Sequence, residues 1–187
     1  MHNTGIAGFL DVETTGLSHT YDEVIELAIC LFEFDRETGE VTGIVDGYVG
    51  LREPAVPIPQ QATRVHGLTH DDVTGKKLDN EIIEAMIHRA EFLIAHNAPF
   101  DRGFMTRLFH VCNQKQWLCS MRGINWKAKG FTSMALQNLL QAHHIQIERA
   151  HRAQHDVQAA IKLLCQPNQN GKPYFWELLK KLPKTGI

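Results

Sequence analysis

The sequence predicts an α/β fold: a mixed β-sheet, an antiparallel meander plus parallel strands, flanked by α-helices. Three observations carry this. Runs rich in β-branched and aromatic residues follow one another closely between Ile6 and Val49, as a meander requires. From Asp79 onward, helical periodicity alternates with short apolar runs. Neither an internal repeat nor a second-domain linker interrupts the 187 residues, a length that can bury a substantial core as one domain, 1–187.

Taken in order, Ile6 to Leu10 reads as a buried strand running into Asp11, Val12 and Glu13, with Thr15 and Gly16 as its turn. Val24 to Phe34 is too long for one clean alternation, but its composition favours a second strand. Asp35 to Glu40 is a polar hairpin loop, and Val41 to Val49 the returning strand. Pro54, Pro57 and Pro59 exclude helix interior and central strand, since each lacks a backbone donor. The extended loop they define is expected to continue through Gln60 to Thr69, where Gly67 and Thr69 mark another turn.

Ile82, Ile83, Met86, Ile87 and Ala90 recur at helical spacing behind Asp79 or Asn80 as N-cap. Phe92 to Ala95 is a short buried strand. Asn97 can cap the next helix, Pro99 suits its first turn, and Phe100, Phe104 and Leu108 form its inward stripe. Trp117 to Met121 reads as a strand and Thr132 to His144 as a helix. A further helix buries Val157, Ala160, Ile161 and Leu164, and a last amphipathic one runs around Tyr174 to Leu182.

Composition narrows the function. The net charge of -2 argues against holding a polyanion by phosphate neutralisation alone, so such a partner must meet local positive charge or bound cations. Cys30, Cys112, Cys119 and Cys165 show no C-x-x-C spacing and read as reduced, mostly buried thiols. No apolar run approaches the roughly 20 residues that span a bilayer. The N-terminal residues enter the first strand at once, leaving no room for a signal-peptide core. A cytoplasmic protein with no membrane partner is expected.

The chemistry concentrates in acids at element ends. Asp11 and Glu13, two apart on a strand, point to one face. Burying such a pair unpartnered costs several kcal/mol or more. Either the strand runs out into a solvated loop or the pair is half of a metal site. Asp101 and Asp156 each lie in the first turn of a helix, where an acid also complements the helix dipole by about 0.3–1 kcal/mol. Each has a histidine five residues before it, His96 and His151. His151 falls in the loop before its helix, free to lean over the aspartate.

These residues carry a family resemblance. Asp11-Val12-Glu13-Thr14-Thr15-Gly16-Leu17, His96-Asn97-Ala98-Pro99-Phe100-Asp101 and His151-Arg152-Ala153-Gln154-His155-Asp156 resemble, in order and spacing, the three motifs of the DEDD exonucleases. The histidine five positions before the last aspartate resembles the DEDDh, DnaQ-like branch. The sister branch places tyrosine four positions before it, where this chain has Arg152. Arg64-Val65-His66-Gly67-Leu68-Thr69 is similar to a loop of proofreading exonucleases of the polymerase III epsilon type. The resemblance covers about Ile6 to Leu164 and implies a ribonuclease H-like fold.

It also implies a metal-dependent 3'-to-5' exonuclease that releases nucleoside 5'-monophosphates from DNA ends, single-stranded or frayed, using two divalent cations. Hard oxygen ligands suit Mg²⁺ or Mn²⁺. By resemblance, Asp11 bridges the metals, Glu13 and Asp156 complete the site of the attacking water, and Asp101 serves the second metal. His151 is the implied general base, since an ordinary histidine pKa near 6.5 suits proton abstraction close to neutral pH. His155 competes, but its neighbouring helical position points about 100° away from Asp156. His96 reads as structural.

For the substrate, the resemblance implies Leu17 against the terminal base, the Thr14 amide on the terminal nucleotide and His66 on a phosphate, with Asn97 completing the set. Leu17 could equally be core packing and His66 a loop-stabilising residue. Arg64, Arg102, Arg122, Lys127, Lys129 and Arg152 are candidates to track the backbone, and Trp126 to stack on bases. Trp117 reads as core. An RNA-directed exoribonuclease of the RNase T or oligoribonuclease kind and a catalytically silent nucleic-acid-binding module are the competing readings. Proofreading, DNA repair and degradation are the roles that such an activity serves. A DNA polymerase subunit is a candidate partner, for which the last helix, with Phe175, Trp176, Leu178 and Leu179, offers a surface.

Overall fold

A computed structural model describes residues 3–183; Met1 and His2 lie outside them. One five-stranded sheet runs in the order β3-β2-β1-β4-β5. Its strands are β1 (Thr4–Thr14), β2 (Val24–Asp35), β3 (Val41–Leu51), β4 (Phe92–Ala95) and β5 (Gln116–Cys119). The first three form the expected antiparallel meander, and β4 and β5 add parallel to β1. The central strand β1 does not end at its acids: the ladder with β2 carries through Asp11 and Glu13 to Thr14, with a register slip at the last step.

Both faces of the sheet are covered. Helices α3 (Asn80–Arg89) and α4 (Ala98–Leu108) lie on one face, burying Ile83, Met86, Ile87, Phe104 and Met105 with Leu10, Val12, Leu27 and Ile29. On the other, α6 (Leu136–Ala142), α7 (Ala153–Leu164) and α8 (Tyr174–Leu179) cover Ala7, Phe9, Ala28, Phe32 and Phe34. Phe175 packs edge-on against Phe32 and Phe34, with centroids 5.2 and 5.1 Å apart. The continuous apolar run of β2 thus reflects burial on both sides. Strand alternation assigns Asp11 and Glu13, in step with Ala7 and Phe9, to the α7 face.

Several expectations are corrected. Gln60–His66 is a helix, α1, rather than extended loop, bounded by Pro59 and by Gly67, whose φ of 75° closes it and whose amide donates a hydrogen bond to the Thr63 carbonyl. It is short and buries only His66, so no apolar period announces it. A one-turn helix, α2 (His70–Val73), follows it. Ser120 and Met121 open another short helix, α5 (Ser120–Gly123), instead of ending a strand. The helix expected over 132–144 spans Leu136–Ala142, and the last one stops at Leu179. Asn97 occupies the N-cap of α4 but makes no side-chain capping bond.

Trp126 is fully buried, its indole donating to the Ser120 carbonyl at 2.9 Å, and so cannot stack on a base. Of the four cysteines, only Cys112 is buried; Cys165 is exposed. In α8, Phe175 and Leu178 are fully buried in the domain's own core, which removes them from any polymerase surface. No described helix is long and apolar enough to cross a membrane.

Candidate active site

The acids converge where β1 and β4 end. β1 delivers Asp11 and Glu13, both half-buried; the first turn of α4, entered directly from β4, delivers Asp101; the first turn of α7 delivers Asp156. Asp101 and Asp156 are 2% and 6% exposed, unusually low for acids without cationic partners. Ligand atoms of Glu13, His151 and Asp156 lie within 4.8 Å of one another.

The electrostatics show how crowded this group is. Burial first, then the charges of Asp101, Glu13, Asp156 and Glu26, push Asp11 well above the usual carboxylate range. Burial and the neighbouring Asp156, Glu26 and Asp101 push Glu13 up to about 8. Burial raises Asp101 to about 7 against the pull of its own amide and that of Val12. Asp156 is raised by burial too, partly offset by its hydrogen bond from Gln137. Carboxylates so disposed repel one another unless protons or cations intervene.

Asp156 is held on both oxygens. Oδ1 accepts from Gln137 Nε2 at 2.8 Å, and Oδ2 accepts from the His151 amide at 3.0 Å. His151 itself is exposed, in the loop before α7, with a left-handed φ of 57°. His155 turns away, its Nδ1 3.2 Å from the Arg149 carbonyl. His96 is structural: buried, with Ser120 Oγ at 2.9 Å and the Met134 carbonyl at 2.8 Å.

Beside the acids opens a cleft of about 570 Å³, lined by Glu13, Thr14, Leu17, Val65, His66 and Phe100 among others. Leu17 is 84% exposed, which rules out core packing. The turn that presents it is clamped by Asp22, which accepts from Thr15 Oγ1 at 3.1 Å and the Ser18 amide at 2.8 Å. A side chain at Gly16 would meet that carboxylate at 2.5 Å. His66 is buried at the end of α1. Its Nδ1 accepts from the Leu68 amide at 3.0 Å, so Nε2 carries the proton, and Nε2 has no partner. Asn97 is exposed and lies outside the lining of this cleft.

Two residues that sequence reasoning passed over belong here. Gln137 carries no signal on a short polar helix face. Glu26 does: a buried acid flanked by apolar residues in β2. It pairs with Arg152, which removes Arg152 from the backbone-tracking set, as Glu177 removes Lys129.

A ribonuclease H-like sheet whose acids, drawn from three separate stretches of chain, meet beside the adjacent parallel strands β1 and β4 defines an acidic centre. The chain belongs to the exonuclease family, RNase_T, whose model matches residues 9–164. It is thus a nuclease domain of the DnaQ-like, DEDDh kind, as the motifs led one to expect.

Among its relatives, the polymerase III epsilon subunit of Treponema pallidum is 29% identical over 82% of this chain and 72% of that protein. The PolC-type polymerase III of Listeria monocytogenes is 28% identical over 82% of this chain, which spans only 10% of that protein. The 3'-5' exonuclease DinG of Staphylococcus epidermidis is 26% identical over 86% of this chain and 18% of that one. Two solved structures share the fold. Exonuclease X in complex with 5' overhanging duplex DNA has a TM-score of 0.63 and 21% identity, covering 91% of this chain and 99% of its own. E. coli exonuclease I in complex with a dA16 oligonucleotide has a TM-score of 0.68 and 17% identity, covering 92% of this chain and 42% of its own.

Proposed function

We propose that residues 1–187 form a single metal-dependent 3'-to-5' exonuclease domain that removes nucleoside 5'-monophosphates from single-stranded or frayed DNA ends. The observation that carries this reading is the unneutralised acid cluster beside an exposed histidine at the mouth of a cleft.

The donor set fits divalent cations. All four acids offer hard oxygens, and buried Asp101 Oδ1 has no hydrogen-bond partner, which a cation or its water would provide. Asp11, Glu13, Asp101 and Asp156 are the residues to hold two such ions, Mg²⁺ or Mn²⁺ being suited to oxygen ligands. When bound, the ions supply an activated water and stabilise the leaving oxygen.

The remaining work belongs to the chain. His151, solvent-accessible and beside Glu13 and Asp156, takes the proton from the attacking water at its imidazole. The Thr14 amide and Leu17 orient the terminal nucleotide in the cleft. His66, fixed by Leu68 as an Nε2 donor, offers that proton to a substrate oxygen, and Asn97, exposed at the start of α4, meets the strand outside the cleft. Two divalent cations held by four carboxylates bring positive charge to the cleft, which reconciles nuclease chemistry with a net charge of -2. The relatives' names support a cytoplasmic role at DNA ends and association with a polymerase.

The test is turnover of matched DNA and RNA oligonucleotides, single-stranded, blunt and mismatched, by purified protein with and without Mg²⁺ or Mn²⁺. Metal-dependent shortening of DNA from the 3' end is expected. Faster loss of RNA would overturn the DNA preference, and inertness with both metals would support a binding module.

A further inference from the structure

Glu26 is a fifth carboxylate on the face that carries Asp11 and Glu13. It stands opposite Glu13 in the β1–β2 ladder, and its side chain is 1% exposed. A free charge there would add to the repulsion of the cluster, yet neither oxygen is free. Oε1 accepts from Arg152 Nη2 at 2.6 Å and Nε at 3.1 Å; Oε2 accepts from Nε at 3.1 Å and from the Ala153 amide at 3.0 Å. The carboxylate is therefore spent on the protein, as an ion pair and as a cap for the first orphan amide of α7.

These bonds end on the two residues that follow His151. On its other side, the His151 amide is held by Asp156. Between the two anchors, His151 keeps a φ of 57°, a conformation that a non-glycine residue holds only where its surroundings over-determine it. The exposed ring has no burial to fix it, so the main chain must set where it points.

We propose that Glu26 is a positioning residue for His151, acting through Arg152 and the Ala153 amide: it anchors the start of α7 so that the backbone presents the imidazole to Glu13 and Asp156. This rests on the reading of His151 as general base. It also gives Arg152 a role inside the fold in place of a phosphate contact.

The test uses Glu26→Gln and Arg152→Lys, each alone and combined with His151→Ala, on a single-stranded DNA oligonucleotide with Mn²⁺, with kcat and KM separated. Each single change is expected to lower kcat about 10- to 100-fold, the usual effect of losing a supporting contact in a metal site, and to leave KM within about twofold. Neither is expected to lower kcat further once His151 is alanine. Equal losses with and without His151 would overturn the proposal.

Amide hydrogen exchange on the metal-free proteins gives a readout independent of activity. Glu26→Gln should expose the His151 and Ala153 amides while leaving β2 protected. Should the wild type be inert, the functional reading fails and exchange alone decides: unchanged protection at both amides overturns the positioning role. Should Glu26→Gln not fold, Arg152→Lys, which keeps the Glu26–Ala153 bond, carries the kinetic comparison.

Discussion

The amide of His151 donates to Oδ2 of Asp156 at 3.0 Å, so an exposed histidine and a buried acid are tied together by main chain. The ring is left free for chemistry while the backbone bears the strain of φ 57°. His151→Ala is expected to lower kcat by about 10²–10⁴-fold. His151→Gly should lose as much turnover yet raise the melting temperature, because glycine removes a left-handed strain of about 1–2 kcal/mol. Thermal unfolding of the two variants side by side checks this; a glycine variant less stable than wild type contradicts it.

The metal-free protein should lose stability as pH rises. Glu13 is held up at about 8 and Asp101 at about 7, whereas unfolded carboxylates titrate near 4. Between those values the folded chain binds more protons than the unfolded one, so the contribution is fully present below about pH 4 and is lost as pH climbs through about 7 to 8. Asp35, Asp46 and Asp72, whose pKa values are lowered, act oppositely at acid pH, and so do His66 and His96, which burial lowers, up to the ordinary histidine value of about 6.5. Melting temperature in EDTA should therefore fall from about pH 6.5 to 8.5, and Mn²⁺ should restore it at the upper end. A profile that is flat in EDTA would count against the crowded cluster.

Gln137 donates to the other oxygen of Asp156 at 2.8 Å. Gln137→Leu keeps the volume and removes the donor, which lets Asp156 rise further and swing. Mn²⁺ affinity, followed by calorimetry, is expected to weaken about 10- to 100-fold; an unchanged affinity would show that Asp156 is held by the His151 amide alone.

Leu17 is 84% exposed on a clamped turn beside the cleft. Leu17→Ala should leave thermal stability within about 0.5 kcal/mol, as exposed substitutions do, while raising KM for oligonucleotides. A large drop in stability with KM unchanged would assign Leu17 a structural role instead.

Trp126 makes the opposite prediction. Fully buried and hydrogen-bonded to Ser120, it should cost about 3–5 kcal/mol when truncated to alanine. Trp126→Phe, which loses the indole bond and leaves a smaller cavity, should cost about 2–3 kcal/mol and leave oligonucleotide affinity untouched. A fall in affinity would restore the stacking role that burial denies it.

Legibility followed periodicity. Helices α3 and α7 bury repeating apolar stripes, and β1, β2 and β4 apolar runs, so their residues could be read directly; β3 buries none of its residues and is placed by pairing with β2, and in α4 Phe104 is buried while Leu108, expected on the inward stripe, is 36% exposed. α1 and α5 could not be read so, because short helices that bury one residue leave no period; their limits are set by Pro59, by Gly67 and by contacts from elsewhere in the chain. Helices α6 and α8 are shorter than their apolar residues suggest: α8 ends at Leu179, and Lys181 and Leu182 follow in tighter turns, their amides donating to the Leu178 and Leu179 carbonyls.

By itself, the sequence determined the acids and the histidine: Asp11 and Glu13 share a face because a strand has a period of two, and Asp101, His151 and Asp156 lie at helix starts, where the chain turns toward a sheet end. Only tertiary structure decided which groups were already spoken for. Glu26 and Arg152 lie 126 residues apart and meet only when α7 docks on β2, and Gln137 reaches Asp156 from a separate helix. Local spacing predicts which way a side chain points; who stands opposite depends on packing between distant segments, and that decides whether a charge is available to a substrate or is neutralised inside the fold.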